Sequence, residues 1–423
     1  MLQLLGILIF LVGLAVSIGL HELGHMVPAK KFGVRVSEYF VGFGPTLWSR
    51  KGKETEYGLK AIPLGGFVRL VGMIPPEDAV KPVKTGGRIG RIIADARSAS
   101  VDEVLDGEDH RAFYHLAWWR KVIVMFGGPF VNLVLAILAF TVVFVGIGVP
   151  TATTTISEVA VCVPASGQDA CASGDPGSPA SQAGLQEGDT ITAIDGQPVE
   201  KWSDLTTVVA ASAGTEVTLT VDRDGQTIQI PVTPASYDRP NADGGTDTVG
   251  YLGIVPTSEV VRQDPLAGVT YAWTATTETV KAIITLPVAI YHTFLATIGV
   301  EERSQTSIMG IVGVGRIAGD VTSADIEGYG VVEKMGDMLL LLGGLNLALF
   351  AFNMIPLVPL DGGHIASALW QGIKNGWARI RRLPKPRYVD VARMMPLAYG
   401  VFGALILMGA ILVVADIVAP VTV

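Results

Sequence analysis

Four stretches of this chain are apolar all the way round a helix for longer than the roughly 20 residues that a bilayer crossing requires. They are about Leu2–Val27, Leu116–Val149, Met335–Leu357 and Met394–Ala419, and they predict transmembrane helices over residues 1–28, 116–149, 335–370 and 394–419. Between the first two, "TEYGLKAI" and "GFVRLVGM" alternate apolar and polar positions between Gly and Pro punctuation. That pattern predicts a β-loop over residues 29–74. The loop is apolar for a connection. It fits either a hairpin dipping into the membrane beside the first helix or a small soluble β-patch at the interface. Residues 75–115 are polar with scattered charge and predict a flexible linker. The linker ends in "YHLAWWRKV", an aromatic and basic belt at a membrane boundary.

The section from 150 to 262 changes period. "PASQAGL" favours a short helix, "TITAIDG" a strand, and Trp202–Ala211 a second helix. Two alternating strands then meet at Asp224-Gly225, a favourable hairpin turn. Residues 263–334 are apolar but interrupted by Thr, Glu278, Lys281 and Pro287. They predict an amphipathic segment on the outer surface rather than a fifth span. The basic 371–393 loop then leads to the last helix.

Composition agrees with the pattern. Hydrophobic residues make up 49% and charged residues 17% of the 423, and the mean hydropathy is +0.46, values of a membrane protein. The first apolar run lacks a basic start and a small-residue cleavage site, and Lys30 and Lys31 follow it, so it is expected to be retained. Sixteen Lys/Arg lie between Lys30 and Lys121, and seven between Lys374 and Arg393 against Asp390 alone. Between Thr151 and Asp337 there are 8 Lys/Arg against 24 Asp/Glu. Positive-inside asymmetry places the two basic connections in the cytoplasm and the acidic section and both termini outside. A fifth span would reverse the later topology. The basic clusters flank membrane spans, so no nucleic-acid partner is expected. Cys162 and Cys171 both fall in the outer section, where a disulfide is permitted and two free thiols are the alternative.

The chemistry sits at the end of the first span. In "SIGLHELGHMVPAKKFG", His21 and His25 fall one helical turn apart, with Glu22 beside the first. Such a pair holds zinc while the glutamate takes a proton from water. Charged groups at membrane depth are costly and mark function. A hydrolytic zinc site needs a third protein ligand. Asp361, in "NMIPLVPLDGGHIASAL", is the best candidate, because Pro356, Pro359, Gly362 and Gly363 break the helix around a carboxylate there. Asp416 also lies in an apolar run but at the opposite end, which makes it a poor ligand. His364 reads as a supporting or packing residue.

Two resemblances follow from these motifs. Gly184-Leu185, Gly188-Asp189 and Ile194-Asp195-Gly196 make residues of about 152–235 resemble a PDZ domain. That resemblance implies a groove for extended peptide tails, with an idle structural spacer as the alternative. "HELGH", "GFGP", "IPLGGFV", "GGPFVNLVLA" and "NMIPLVPLDGGH" resemble the site-2 protease family (peptidase M50), in particular the bacterial regulator-of-sigma-E proteases. The resemblance implies a polytopic α-helical zinc protease with an inserted extracytoplasmic α+β PDZ domain in the bacterial plasma membrane. It implies His21, His25 and Asp361 as ligands of one Zn2+ and Glu22 as base. Gly65, Gly66 and Phe67 in the β-loop, and Asn353, would contact the unwound substrate, and Asn132 would support the site. The implied substrates are single-span membrane proteins such as anti-sigma factors, already shortened by an outer cut. Some relatives carry two tandem PDZ domains where one is visible here. A noncatalytic adaptor is the competing class, against which the intact Glu22 argues; a metal transporter would need a second intramembrane acidic cluster.

Overall fold

The computed structural model describes residues 2–81, 86–163, 171–172, 175–240, 246–303, 307–326 and 329–421. The chain divides into two units, one of residues 1–147 with 264–423 and one of residues 148–263. The larger is helical around one small hairpin. Its first helix, α1 (Leu2–Lys31), is largely apolar up to His21, Glu22 and His25 and carries Lys30 and Lys31 in its last turn, where positive charge suits the exposed carbonyls of a helix end. Gly33 follows with φ +84°, a left-handed conformation that glycine adopts without steric cost.

The chain then forms a two-stranded antiparallel sheet, β1 (Val36–Lys51) and β2 (Glu56–Leu70), whose pairing runs from Val36↔Leu70 to Lys51↔Glu56 with several shifts of register between. The Tyr39 hydroxyl donates to the Gly19 carbonyl at 2.7 Å, so the hairpin is docked on α1. The polar stretch read as a flexible linker instead holds a helix, α2 (Gly87–Asp102). Polarity misled there: Ile93 and Ser100 are buried, the Ser100 hydroxyl accepts from the Ile74 N–H at 3.0 Å, and Arg97 binds Pro75 O and Asp390.

α3 (Trp118–Thr141) continues through a π-helical turn to Ile147. In the last part of the unit come α6 (Ala267–Thr297), α7 (Ile311–Ser323), α8 (Val331–Asn353), α9 (Asp361–Ile380) and α10 (Met395–Val418). Met26, Val36, Leu70, Phe113, Met125 and Ile365 belong to one buried cluster that joins α1, the hairpin, α3 and α9.

Among the described residues, five helices are long and apolar enough to cross a membrane, by length and composition. Four were expected; the fifth that meets this criterion is α6, the segment read from sequence as amphipathic and lying on the outer surface. Its interruptions are neutralised within the helix. The hydroxyls of Thr276, Thr279, Thr293 and Thr297 each donate to the carbonyl four residues earlier, and Lys281 pairs with Glu278 at 2.7 Å. A hydroxyl that bonds its own backbone costs little in an apolar setting. The third expected span also needs correction. It stops at Asn353, and the first ten residues of the presumed basic loop belong to α9.

The smaller unit is an α+β fold. Its main sheet runs β10–β3–β4–β6–β7, with β5 pairing β4. The strands are β3 (Val149–Val159), β4 (Thr190–Ile194), β5 (Gln197–Pro198), β6 (Val217–Arg223), β7 (Gln226–Val232) and β10 (Ile254–Val261). The helices are α4 (Pro179–Gln182) and α5 (Trp202–Ala211), and β8 (Ala235–Pro240) pairs with β9 (Thr246–Tyr251) in a separate ladder. Ile156, Ile191, Ile194, Leu205, Leu219 and Val221 form the heart of its core. Cys162 and Cys171 are joined as a disulfide. A cavity of about 180 Å³ lies between α5, at Trp202, Leu205 and Val209, and the Leu252-Gly253-Ile254 turn that starts edge strand β10.

Candidate metal centre

α8 ends at Asn353 because the chain ahead cannot extend it: Pro356 and Pro359 lack the N–H that a helix interior needs. The turn that follows is tight. A Cβ on Gly362 would strike Ile355 O, and one on Gly363 would strike the Val358 backbone N. The two glycines therefore let the start of α9 fold back on the end of α8, with Asp361 in the first turn of α9.

There Asp361 meets α1. Its Oδ2 lies 3.4 Å from His21 Nε2 and 3.3 Å from His25 Nε2, and the two Nε2 atoms are 3.2 Å apart. Each imidazole is held from behind. His25 Nδ1 lies 2.8 Å from Val124 O and His21 Nδ1 lies 2.7 Å from Asn132 Oδ1, both on α3. A carbonyl oxygen only accepts, so each Nδ1 carries the proton and each Nε2 presents a lone pair. Two lone pairs and a carboxylate oxygen thus face one another, and Asp361 Oδ2 is buried without a hydrogen-bond partner. A cluster of three acceptors this close together is repulsive unless a cation sits among them. The donor set fits zinc: two imidazoles and a carboxylate, all ligand atoms within 4.8 Å of one another.

The close approach of α1 and α3 makes this possible. A Cβ on Gly24 would hit the Gly127 carbonyl, one on Gly127 would hit the Gly24 carbonyl, and one on Gly128 would hit His25 Nε2. Small residues at a helix crossing bring backbones together in membranes. Here they also leave room for two imidazoles. Asn132 is fully buried and passes the constraint on: its Nδ2 donates to Asn346 Oδ1 at 3.3 Å, and Asn346 Nδ2 donates to Ser17 Oγ at 2.9 Å and Leu342 O at 2.8 Å. This polar chain ties α1, α3 and α8 together behind His21.

The other candidates fall in different places. Glu22 faces the hairpin, where a Cβ on Gly66 would sit 3.1 Å from its Cγ. Gly65 has φ +128° and lies against the Phe43 ring, and Phe67 stacks on Phe40 with centroids 5.5 Å apart. Asn353 donates to Leu349 O in its own helix, at the end of α8. His364 lines a small cavity with Lys121, Ser367 and Gln371 and is not among the three converging ligands. Asn346, Ser17 and Gly128 were missed from sequence. Their only signal was polar or tiny residues inside strongly apolar helices.

Comparison with known proteins agrees with this geometry. The profile of "Peptidase family M50" matches residues 9–398. The chain is 33% identical to zinc metalloprotease Rip1 of Mycobacterium tuberculosis, covering 100% of this chain and 99% of that protein. It is 28% identical to metalloprotease MmpA of Caulobacter vibrioides over 88% of each chain. Against zinc metalloprotease RasP of Oceanobacillus iheyensis it is 26% identical, covering 84% of this chain and 88% of that protein.

Proposed function

Starting from the fact that the chain belongs to peptidase family M50 and is a zinc metalloendopeptidase, we propose that it cuts membrane-spanning proteins within the bilayer. The convergence of His21, His25 and an otherwise partnerless Asp361 oxygen carries this reading, because those residues sit on or beside apolar helices long enough to span. His21, His25 and Asp361 would hold the ion. When bound, zinc supplies Lewis acidity, polarising the scissile carbonyl and making water a stronger acid.

The chain's own residues do the rest. Glu22 takes a proton from the attacking water and returns it to the leaving amine. The polar chain from Ser17 through Asn346 and Asn132 keeps His21 turned toward the site. A substrate helix hides its carbonyls in its own hydrogen bonds and must unwind before attack. Gly65, Gly66 and Phe67 lie on β2 of a two-stranded sheet beside Glu22, suited to receiving an extended segment by strand addition. Asn353, at the end of α8, would take part of the freed backbone.

The substrate class is single-span membrane proteins, anti-sigma-type regulators among them, already shortened by a first cut outside. Family membership supports this, and so does the smaller unit. That unit acts as a PDZ domain whose groove lies between α5 and the Leu252-Gly253-Ile254 turn, reading peptide tails or filtering by size. The distribution of Lys and Arg supports a plasma-membrane topology with this unit outside and the zinc site toward the cytoplasm.

The test uses detergent-purified protein and a membrane-spanning reporter. Glu22→Gln should keep about one zinc per chain while cleavage falls by roughly 10²–10⁴-fold. An unchanged cleavage rate would remove Glu22 as the base. Intact, folded wild type without zinc would remove the assignment of the centre.

A further inference from the structure

α9 presents two faces. Ile365, Ala368 and Gln371 are buried in the helical unit. On the other side Leu369, Trp370, Ile373, Trp377 and Ile380 follow one another at helical spacing and stand exposed, Trp370 at 56%, Trp377 at 58% and Ile380 at 77%. No described element covers this stripe, and it continues past the helix end into an apolar recess with Leu383, Pro384 and Pro386.

The basic residues beside it sort into two groups. Lys374 donates to Arg387 O, Arg387 to Val80 O, and Arg393 to Asp390 and Lys81 O, so those three cations hold the chain together. Arg379, Arg381, Arg382 and Lys385 are exposed and pair with no carboxylate among the described residues. Arg381 lies over the Trp377 ring, 4.8 Å from its centroid. The helix is continuous with the membrane helices: α8 ends at Asn353, only a short turn earlier, and Gly372 packs on Trp118 at the start of α3.

We propose that α9 lies in the plane of the membrane surface at the end of the bundle that carries the zinc site, and that Arg379, Arg381, Arg382 and Lys385 bind the phosphates of anionic phospholipids. An apolar stripe with two tryptophans belongs at the acyl–headgroup boundary. Unpaired cations along its edge match a surface of negative charge. The inference rests on the helical unit being embedded in a bilayer, and it ties the membrane surface to the helix whose first turn supplies Asp361.

The experiment takes full-length protein through mixed micelles containing phosphatidylglycerol or phosphatidylcholine and counts lipid phosphorus and zinc per chain after gel filtration. Wild type should retain phosphatidylglycerol in preference to phosphatidylcholine. Arg379→Gln/Arg381→Gln/Arg382→Gln should weaken that preference at least about fivefold, the effect expected from one lost charge, with zinc unchanged. Arg382→Gln/Lys385→Gln lies beyond the helix end and carries the test should the larger variant lose zinc. Equal retention of both lipids, or variants that bind like wild type, would overturn the proposal. So would complete displacement of the lipid by millimolar glycerol phosphate, which would show a site for free phosphate, or loss of the exposed stripe to a dimer that excludes lipid.

Discussion

Two aspartates of the helical unit, Asp416 and Asp361, are not alike. Asp416 is saturated. Arg303 Nη2 donates to its Oδ1 at 2.8 Å, and the N–H groups of Gly310 and Gly313 donate to its Oδ2 at 2.9 and 2.8 Å. Arg303 in turn donates to Ala419 O and Ile308 O, and both side chains are nearly inaccessible, at 3% and 1%. Asp361 instead keeps an oxygen with no hydrogen-bond donor and faces two imidazole lone pairs. A buried charge whose bonds are all made holds a fold together. A carboxylate oxygen buried with its bonds left open is waiting for a ligand.

The comparison makes opposite demands on the two positions. The largest effect is expected at the open one: Asp361→Asn should abolish both copurifying zinc and cleavage, while unfolding in detergent shifts little. Next, Asp416→Asn should leave zinc bound but cost about 3–5 kcal/mol of stability by stranding the Arg303 charge. The double change Arg303→Met/Asp416→Leu should restore most of it. If Asp361→Asn destabilised the chain as much as Asp416→Asn and kept its zinc, the distinction between open and saturated sites would fail.

Smaller effects sharpen it. Asn132→Ala removes the acceptor for His21 Nδ1 and should weaken zinc binding about 10–100-fold, measured by competition with a chelator. Asp189, in the smaller unit, is buried and likewise saturated. Arg223 donates to both its oxygens at 2.7 Å and Gln186 N to one at 2.9 Å. The Arg223 hydrogen bonds hold its carboxyl below the usual carboxylate range. The sign follows: the stabilisation is complete above the unfolded value of about 3.9 and is lost as pH falls through the lower folded value. Melting of the smaller unit should therefore show an acid-dependent loss below about pH 4, and Asp189→Asn should flatten it.

What was legible in the sequence depended on how far apart the cooperating residues lie. His21, Glu22 and His25 announce themselves within one helical turn, and Asp361 is flagged by the prolines and glycines around it. Asn346, Ser17 and Gly128 act only through contacts between helices, and nothing local distinguishes them from packing residues. The second half of α9, from residue 371, was taken for a loop because the seven basic residues from Lys374 to Arg393 outweighed the apolar spacing of Ile373, Trp377 and Ile380. α2 was lost for the converse reason, its polarity hiding a helix held by Ser100 and Arg97.

The division of the ligands between α1 and α9 also sets an order in time. During synthesis the two histidines and their glutamate emerge early, and the glycines and asparagine of α3 that seat them follow. The aspartate arrives only later, after the whole of the smaller unit has been made. Any nascent chain shorter than that holds half a centre, so a protease of membrane proteins passes through its own insertion unarmed.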